Sequence, residues 1–385
     1  METAQWLSRR HRRTPRRPRL SRLCPPAEQS LRIRQTPVPV AAQRLDILAR
    51  RLTAQLLAGA PARDPVAVAE RLLAIQAQDP RGARLAIRAR TTGVTAGDVD
   101  RELTDARSLV ITSLNRGTLH LIRVEDYPLL QSLTTPQLAT GCHRRLAQEG
   151  VDDAAAERGV AAIERAVTDD GPQTREMLRE RLGRAGIPTE GQALVHLIFR
   201  ASIEGRIVRG PMVGRQHAFV LARDWLPDIT PPPRDAALAE LARRYLAGHG
   251  PAADRDLARW AGLPLRDARA GLEALGGRLR GLPGGLVDLA QRPRAARLPG
   301  PRLLGPFEPL LLGWVSRDDV AGGDEARLIS GGIFRSFALV GGRAAAVWRL
   351  SGRRLDIAPF TTISADDQAA LNRDAVATLR FLGIG

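Results

Sequence analysis

Apolar residues in the first part of the chain recur at helical spacing and then change to strand spacing. A 3.6-residue stripe predicts one helix, a Leu/Ala-rich run over residues 66–75 predicts a second after Asp64-Pro65, and residues 81–90 predict a third. Residues 108–122 then alternate like two short strands around a turn at Gly117. Helices followed by a hairpin predict a winged helix. The stripe of the first helix consists of Leu45, Leu48, Leu52, Leu56 and Leu57.

The same order of helices and hairpin returns twice further along the chain. Helix starts at Gly171-Pro172 and Gly250-Pro251 are separated by about the length of one such unit. Hairpins are predicted to follow over residues 207–221 and 281–285, and the run of three prolines at 231–233 is typical of a stiff linker between the last two copies. The pattern therefore predicts three tandem winged helices.

These patterns predict an α+β fold that is mainly helical, with small β wings and a C-terminal α/β cap. Alternating apolar strands over residues 336–340 and 344–350 indicate the cap. The predicted boundaries are 41–150, 151–230 and 234–298 for the winged helices and 299–385 for the cap. Residues 1–40 are rich in Arg and Pro and are predicted to be a disordered tail.

Net charge favours a polyanionic partner, although much of it lies in the tail. Residues 1–40 hold ten arginines against Glu2 and Glu28, so they contribute +8 of the net +17 and the remaining residues contribute +9. The two cysteines, Cys24 and Cys142, form no metal-binding spacing and suit a reducing cytoplasm. No apolar run approaches the roughly 20 residues that a membrane span needs.

Gln76-Ala77-Gln78 is the most informative short motif. Pro80 disfavours helix at Asp79, so we expect extended backbone here, which places both amides on one face. Such a pair can hold a water molecule or contact a sugar, but an amide is not a base near neutral pH. Any reaction here must need little general-base help. The alternative is a helix C-terminus with two solvated glutamines.

The surroundings of this motif resemble one enzyme family. The stretch Leu73-Ala-Ile-Gln-Ala-Gln-Asp-Pro-Arg-Gly-Ala-Arg-Leu-Ala-Ile-Arg-Ala-Arg90, followed by Arg107-Ser-Leu-Val110 and Arg116-Gly-Thr-Leu-His-Leu121, resembles the AlkZ/YcaQ-like winged-helix DNA glycosylases. The resemblance runs from about Gln43 to the C-terminus and implies that Gln76 and Gln78 form the catalytic motif. Ile111 and Ser113 depart from the family, which tends to carry an arginine and a tryptophan in this segment.

Residues around the motif are candidates for DNA binding. Arg81, Arg84 and Arg88 keep helical spacing, as a face that follows phosphates would, although a solvated face has the same pattern. Arg116 lies at the predicted hairpin tip, within reach of a phosphate or the minor groove. Thr118 and His120 share one face of the following strand, where a histidine can also be purely structural.

The resemblance and the residues together predict a monofunctional DNA glycosylase that removes alkylated, N7-adducted purines from double-stranded DNA. The chain contains no lysine, the usual source of the Schiff base through which strand-cutting glycosylases act. Phosphate-binding glycine motifs and metal-ligand spacings are missing from the sequence, so no cofactor and no metal are expected. We expect a monomer in the cytoplasm, associated with the nucleoid.

Two other classes stay open at the level of sequence. A winged-helix regulator or architectural protein would bind DNA without chemistry, but three unlike modules in one chain fit a monomeric clamp better than a symmetric dimer. A protein-interaction scaffold is the third possibility. The tail could be a nucleic-acid-binding arm, but a start codon assigned too far upstream fits better, because the family resemblance begins near Gln43.

Overall fold

The computed structural model describes residues 40–214 and 216–384, so all but the last residue of the predicted tail lies outside the described residues. The helices are α1 (Val40–Ala54), α2 (Pro65–Leu72), α3 (Pro80–Arg88), α4 (Ala96–Thr104), α5 (Tyr127–Thr134), α6 (Ala139–Gln148), α7 (Asp153–Asp170), α8 (Arg175–Arg184), α9 (Ala193–Ile203), α10 (Ala222–Trp225), α11 (Arg234–His249), α12 (Asp254–Ala261), α13 (Leu265–Glu273), α14 (Pro309–Leu312), α15 (Asp318–Ala321), α16 (Glu325–Leu328) and α17 (Ala365–Phe381).

The strands are short and antiparallel. They are β1 (Ile75–Gln76), β2 (Leu109–Leu114), β3 (Thr118–Arg123), β4 (Ile207–Val213), β5 (Gln216–Leu221), β6 (Leu279–Leu282), β7 (Leu286–Leu289), β8 (Arg302–Leu304), β9 (Ile329–Ser330), β10 (Ile333–Phe334), β11 (Phe337–Val340), β12 (Arg343–Ser351) and β13 (Arg354–Pro359). The fold is therefore α+β, as predicted. Among the helices of the described residues, none is long and apolar enough to cross a membrane.

Two aspartate caps fix the start of the helices that flank the glutamine motif. Asp64 and Asp79 each precede a proline in the first turn, and each carboxylate accepts a hydrogen bond from a backbone amide three residues on, at 2.7 Å. Between these helices Leu73 has a φ of 64°, which turns the chain out of α2. The predicted second helix therefore ends at Leu72 and not at Ile75, and Ile75–Gln76 pairs with β3 instead.

The predicted first and second hairpins form one five-stranded sheet in the order β1-β3-β2-β4-β5. They meet where Ile111 of β2 pairs with Arg209 of β4, a join that the sequence pattern does not predict. One sheet face packs on the core of α2, α3 and α4 through Ile75, Ile111 and Leu121, and the opposite face packs on the core that includes α5 and α11. Because both faces are covered, the polar side chains of Gln76, Thr112 and His120 on this sheet are buried.

The remaining strands form smaller sheets. Helices α11 to α13 are followed by the β6–β7 hairpin, in the predicted order. The cap contains a sheet in the order β8-β11-β12-β13, in which β11 and β12 match the two predicted strands, and α17 packs against it. The alternation of apolar residues did not reveal helices α4, α5 and α6, which lie between and after the first strands.

A buried ionic cluster fastens the cap to the first helices. The guanidinium of Arg90 is fully buried and donates to Glu308 at 2.5 Å and to the side-chain oxygen of Gln55 at 2.9 Å. It also donates to the backbone oxygens of Gln55 and Ala86. The side-chain amide of Gln55 in turn donates to the Gly248 carbonyl at 3.2 Å. Every charge in this cluster is therefore paired, as a buried charge requires.

Candidate active site

Strand pairing places three polar side chains in a row across the shared sheet. Gln76 of β1 lies opposite His120 of β3, and His120 lies opposite Thr112 of β2. Residues directly opposite one another in adjacent strands present their side chains on the same face. All three residues are buried, with exposed fractions of 7% for Gln76, 3% for His120 and 1% for Thr112. Thr112 lies between the two departures from the family pattern, and the sequence gave no reason to select it.

Extended backbone continues through the motif as the Pro80 effect predicts. Ala77 donates its backbone amide to the Leu119 carbonyl at 2.7 Å, which extends the pairing of β1 with β3. The exposed Gln78 accepts a hydrogen bond from the Leu119 amide through its side-chain oxygen at 3.0 Å. Its amide nitrogen therefore keeps its donors for a ligand. Both glutamines lie against β3, with Gln76 inside the sheet and Gln78 at its solvent edge.

Several buried polar atoms near the row have no hydrogen-bond partner among the described residues. They are Gln76 Oε1, Thr112 Oγ1, Thr118 Oγ1 and both amide atoms of Asn115. A buried polar group without a partner costs about 1–3 kcal/mol, so such groups are uncommon in a well-packed core. Five of them around one hairpin indicate a place built to hold a water molecule or a polar ligand group.

His120 is a neutral member of this row. Its Nδ1 donates to the Thr118 carbonyl at 2.9 Å, which leaves a lone pair on Nε2. Burial lowers the pKa of His120 to about 3, and the nearby charge of Arg116 acts in the same direction. The imidazole is therefore uncharged near neutral pH and offers an acceptor to a water or a hydroxyl, not a cation to a phosphate.

Arg116 sits at the hairpin tip, as predicted, but it is bound within the protein. Its guanidinium donates to the carbonyls of Trp260 at 2.7 Å and Arg259 at 3.0 Å, at the C-terminal end of α12. A cation is favoured there by the helix dipole. Arg116 also lines an open surface together with Arg255 and Arg259. It joins the first hairpin to the third predicted module and contributes to a basic patch.

The structure divides the predicted arginine face. Arg81 is exposed and has no ion pair among the described residues. Arg84 pairs with Asp100 of α4, and Arg88 pairs with Asp374 of α17 at 2.6 Å. The last two side chains are each 11% exposed and hold neighbouring helices. Among the three, Arg81 is the one whose charge faces solvent.

Comparison with protein families identifies the class of protein to which the chain belongs. The family model described as DNA glycosylase AlkZ-like matches residues 69–381. The chain therefore belongs to the AlkZ-like DNA glycosylase family, and the resemblance noted in the sequence is confirmed.

A solved structure shares the fold. Streptomyces sahachiroi DNA glycosylase AlkZ superposes with a TM-score of 0.72 and is 23% identical in sequence. The alignment covers 88% of this chain and 96% of that one. No curated protein sequence matches the chain. At this identity the likeness establishes the architecture, and the roles of individual residues have to come from the geometry described above.

Proposed function

We propose that the protein hydrolyses the N-glycosyl bond of N7-alkylated purines in duplex DNA and leaves an abasic site. The observation that carries this proposal is the buried Oε1 of Gln76, which has no partner among the described residues and lies beside neutral His120. An amide oxygen in this position presents a negative dipole. Such a dipole stabilises positive charge that develops on a sugar as its base departs.

The chemistry of the leaving group explains why no strong base is needed. N7 alkylation gives the purine a positive charge, so the electron pair of the breaking C1′–N9 bond neutralises it. A water oxygen then forms the new bond to C1′ and releases a proton to solvent. Gln76, Gln78 and the Nε2 of His120 can orient that water, because Gln76 pairs with His120 and Gln78 is hydrogen-bonded to the neighbouring Leu119. None of them has to remove a proton before the bond breaks.

The DNA contacts that we propose follow from which groups remain available. Arg81 lies two residues beyond Asp79 and faces solvent, so it can contact a phosphate next to the site. Arg116 brings a second charge from the hairpin tip. Arg84 and Arg88 support these contacts indirectly, through their ion pairs with α4 and α17. His120 belongs to the polar row and Thr118 lies two residues before it on β3, so both would contact the nucleotide and not the phosphate backbone.

The test of this function is the identity of the product. Methylated duplex DNA should release 7-methylguanine, and the strand should stay intact until heat or alkali cleaves it. Because the sequence contains no lysine, the Met1 amine is the remaining source of a Schiff base. A protein that lacks residues 1–40 and has a blocked N-terminus should therefore form no covalent adduct with borohydride. A trapped adduct, or no base release at all, would contradict the proposal.

A further inference from the structure

A second basic site opens next to the glutamine motif. A cleft of about 530 Å³ lies between the start of α3, the start of α8 and the β4–β5 hairpin. Its lining begins at Pro80, two residues beyond Gln78. Four arginines and one histidine face it, and they come from both of the hairpin modules that share the sheet. They are Arg81, Arg84, Arg175, Arg209 and His217.

The positive charge of this cleft is only partly neutralised within the protein. Arg84 is paired with Asp100, but Arg81, Arg175 and Arg209 have no ion pair in the part of the chain that the structure describes. Glu176 is the carboxylate on the lining, and it is exposed and hydrogen-bonded to Gln216. Arg175 also occupies the first turn of α8, where the helix dipole adds positive potential. The cleft therefore has the electrostatics of an anion site.

Two buried polar atoms in the lining have no partner. Arg209 Nε and His217 Nε2 each lack a hydrogen bond among the described residues. The Arg209 guanidinium lies over the ring of Phe219, 5.6 Å from its centroid, which holds the side chain in place. His217 is 8% exposed, and its Nδ1 donates to the Gly210 carbonyl at 3.0 Å. Both side chains are thus fixed by the protein while one nitrogen of each stays free.

We propose that this cleft binds a phosphodiester group of the DNA strand whose damaged nucleotide reaches Gln76 and Gln78. The identity of the anion rests on the function proposed above. A phosphodiester accepts hydrogen bonds from several directions, and the free donors of Arg175 and Arg209 supply them. An open cleft at the edge of the motif suits a continuous strand. A site for a free phosphate ester would have the same chemistry, so the experiment includes a mononucleotide.

His217 gives the site a pH signature. Burial lowers the pKa of His217, and the charges of Arg84 and Arg209 lower it further, while the Gly210 carbonyl and Asp100 oppose them. Arg81, Arg175 and Glu176 complete the charged groups around the cleft. A phosphodiester only accepts hydrogen bonds, so Nε2 must take up a proton to contact it. Proton uptake on binding makes the complex tighter as pH falls.

The experiment compares the full chain with an Arg175→Gln, Arg209→Gln double variant. Binding of undamaged duplex DNA is measured over a series of salt concentrations. Loss of this contact should lower the logarithmic salt slope by about 0.9. Affinity should fall roughly ten- to a hundredfold, the range for hydrogen bonds to charged groups. Arg353→Gln, on the exposed turn between β12 and β13, removes one charge outside the cleft and should leave both quantities close to wild type.

The His217→Gln variant tests whether His217 takes up a proton when DNA binds. Wild-type affinity should rise from about pH 8 to about pH 6, and the variant should show a flatter dependence. The melting temperatures of all variants should lie near the wild-type value, so that differences in affinity reflect binding and not unfolding. A salt slope that the double variant leaves unchanged would overturn the site, and an equal pH dependence in His217→Gln would remove the histidine from it.

Two further outcomes separate this site from its alternatives. Loss of thymidine monophosphate binding in the double variant, with duplex binding unchanged, would show a site for a free nucleotide and would contradict the proposal. Binding of undamaged duplex does not depend on base excision, so it tests the cleft independently of the proposed reaction. If the wild type releases no 7-methylguanine while its duplex binding still depends on the cleft, the proposed glycosylase substrate fails and the phosphodiester site stands.

Discussion

Two buried polar clusters lie at opposite ends of α3, and they differ in how completely their hydrogen bonds are made. Beyond its C-terminal end, Arg90, Gln55 and Glu308 satisfy one another and nearby backbone groups. At the second cluster, Gln76 before the N-terminal end of α3 meets His120 and Thr112 of the β2–β3 hairpin, and Gln76, Thr112 and the nearby Asn115 keep polar atoms without partners in the described structure. Packing alone would favour the first arrangement everywhere. The incomplete second cluster therefore indicates a site that a ligand completes.

The largest expected effect on stability lies in the complete cluster. Arg90→Met leaves Glu308 buried without its partner and should lower the free energy of unfolding by about 3–5 kcal/mol. Urea denaturation measures this change. Arg88→Met removes a partly exposed ion pair at the C-terminal end of α3 and should cost less. An equal loss of unfolding free energy in the two variants would show that the Arg90 cluster stabilises the protein no more than the Arg88 ion pair does.

The pH dependence of stability separates the clusters, because only the incomplete one contains a histidine. His120 titrates with a pKa of about 3 in the folded protein and a usual value of 6.5. The unfolded chain therefore binds a proton first as pH falls. The contribution of neutral His120 to the free energy of unfolding is complete above about pH 6.5. Below that pH it decreases by about 1.4 kcal/mol per pH unit, or roughly 2 kcal/mol by about pH 5.

His120→Gln should remove this part of the acid sensitivity. His249, which is also buried with a pKa of about 3, remains in the variant and serves as an internal reference. The free energy of unfolding, measured from urea curves across this pH range, should decline less steeply in the variant than in the wild type. An unchanged slope would mean that His120 is not held neutral by its burial.

The smallest expected effect comes from a pair of threonines. Thr112→Val removes a hydroxyl that has no partner and should change stability by less than about 1 kcal/mol or increase it. The hydroxyl of buried Thr134 accepts a hydrogen bond from the backbone N–H of Asn115 at 2.9 Å, so Thr134→Val should cost about 1–3 kcal/mol. Thermal unfolding of the two variants measures which substitution lowers stability more. A greater loss from Thr112→Val would contradict the incomplete state of the site.

The sequence was enough to predict the Gln76–Gln78 motif, but not the strands that surround it. Pro80 and the family resemblance pointed to Gln76 and Gln78, and the alternation after residue 108 predicted the hairpin that holds His120. The partner strands could not be inferred, because β1 contains two residues and carries no periodic signal. Arg209 and His217 reach the neighbouring cleft through the unforeseen pairing of β2 with β4.

The arginine face shows the same limit. Helical spacing correctly placed Arg81, Arg84 and Arg88 on α3, but the pattern gives no information about what covers a face. Asp100 and Asp374, which pair with Arg84 and Arg88, lie on α4 and α17. Neither helix was predicted individually. Contacts between distant segments therefore decide which arginines remain available to DNA.

The most direct test of the account is excision by a Gln76→Ala, Gln78→Ala double variant. Release of 7-methylguanine from methylated duplex is measured in a single turnover at saturating enzyme, with exposed Gln291→Ala as the matched control. We expect the rate of the double variant to fall roughly ten- to a thousandfold, the range for removing positioned polar groups. DNA affinity and melting temperature should stay near the wild type. Full excision activity in the double variant would contradict the assignment of this cluster as the active site.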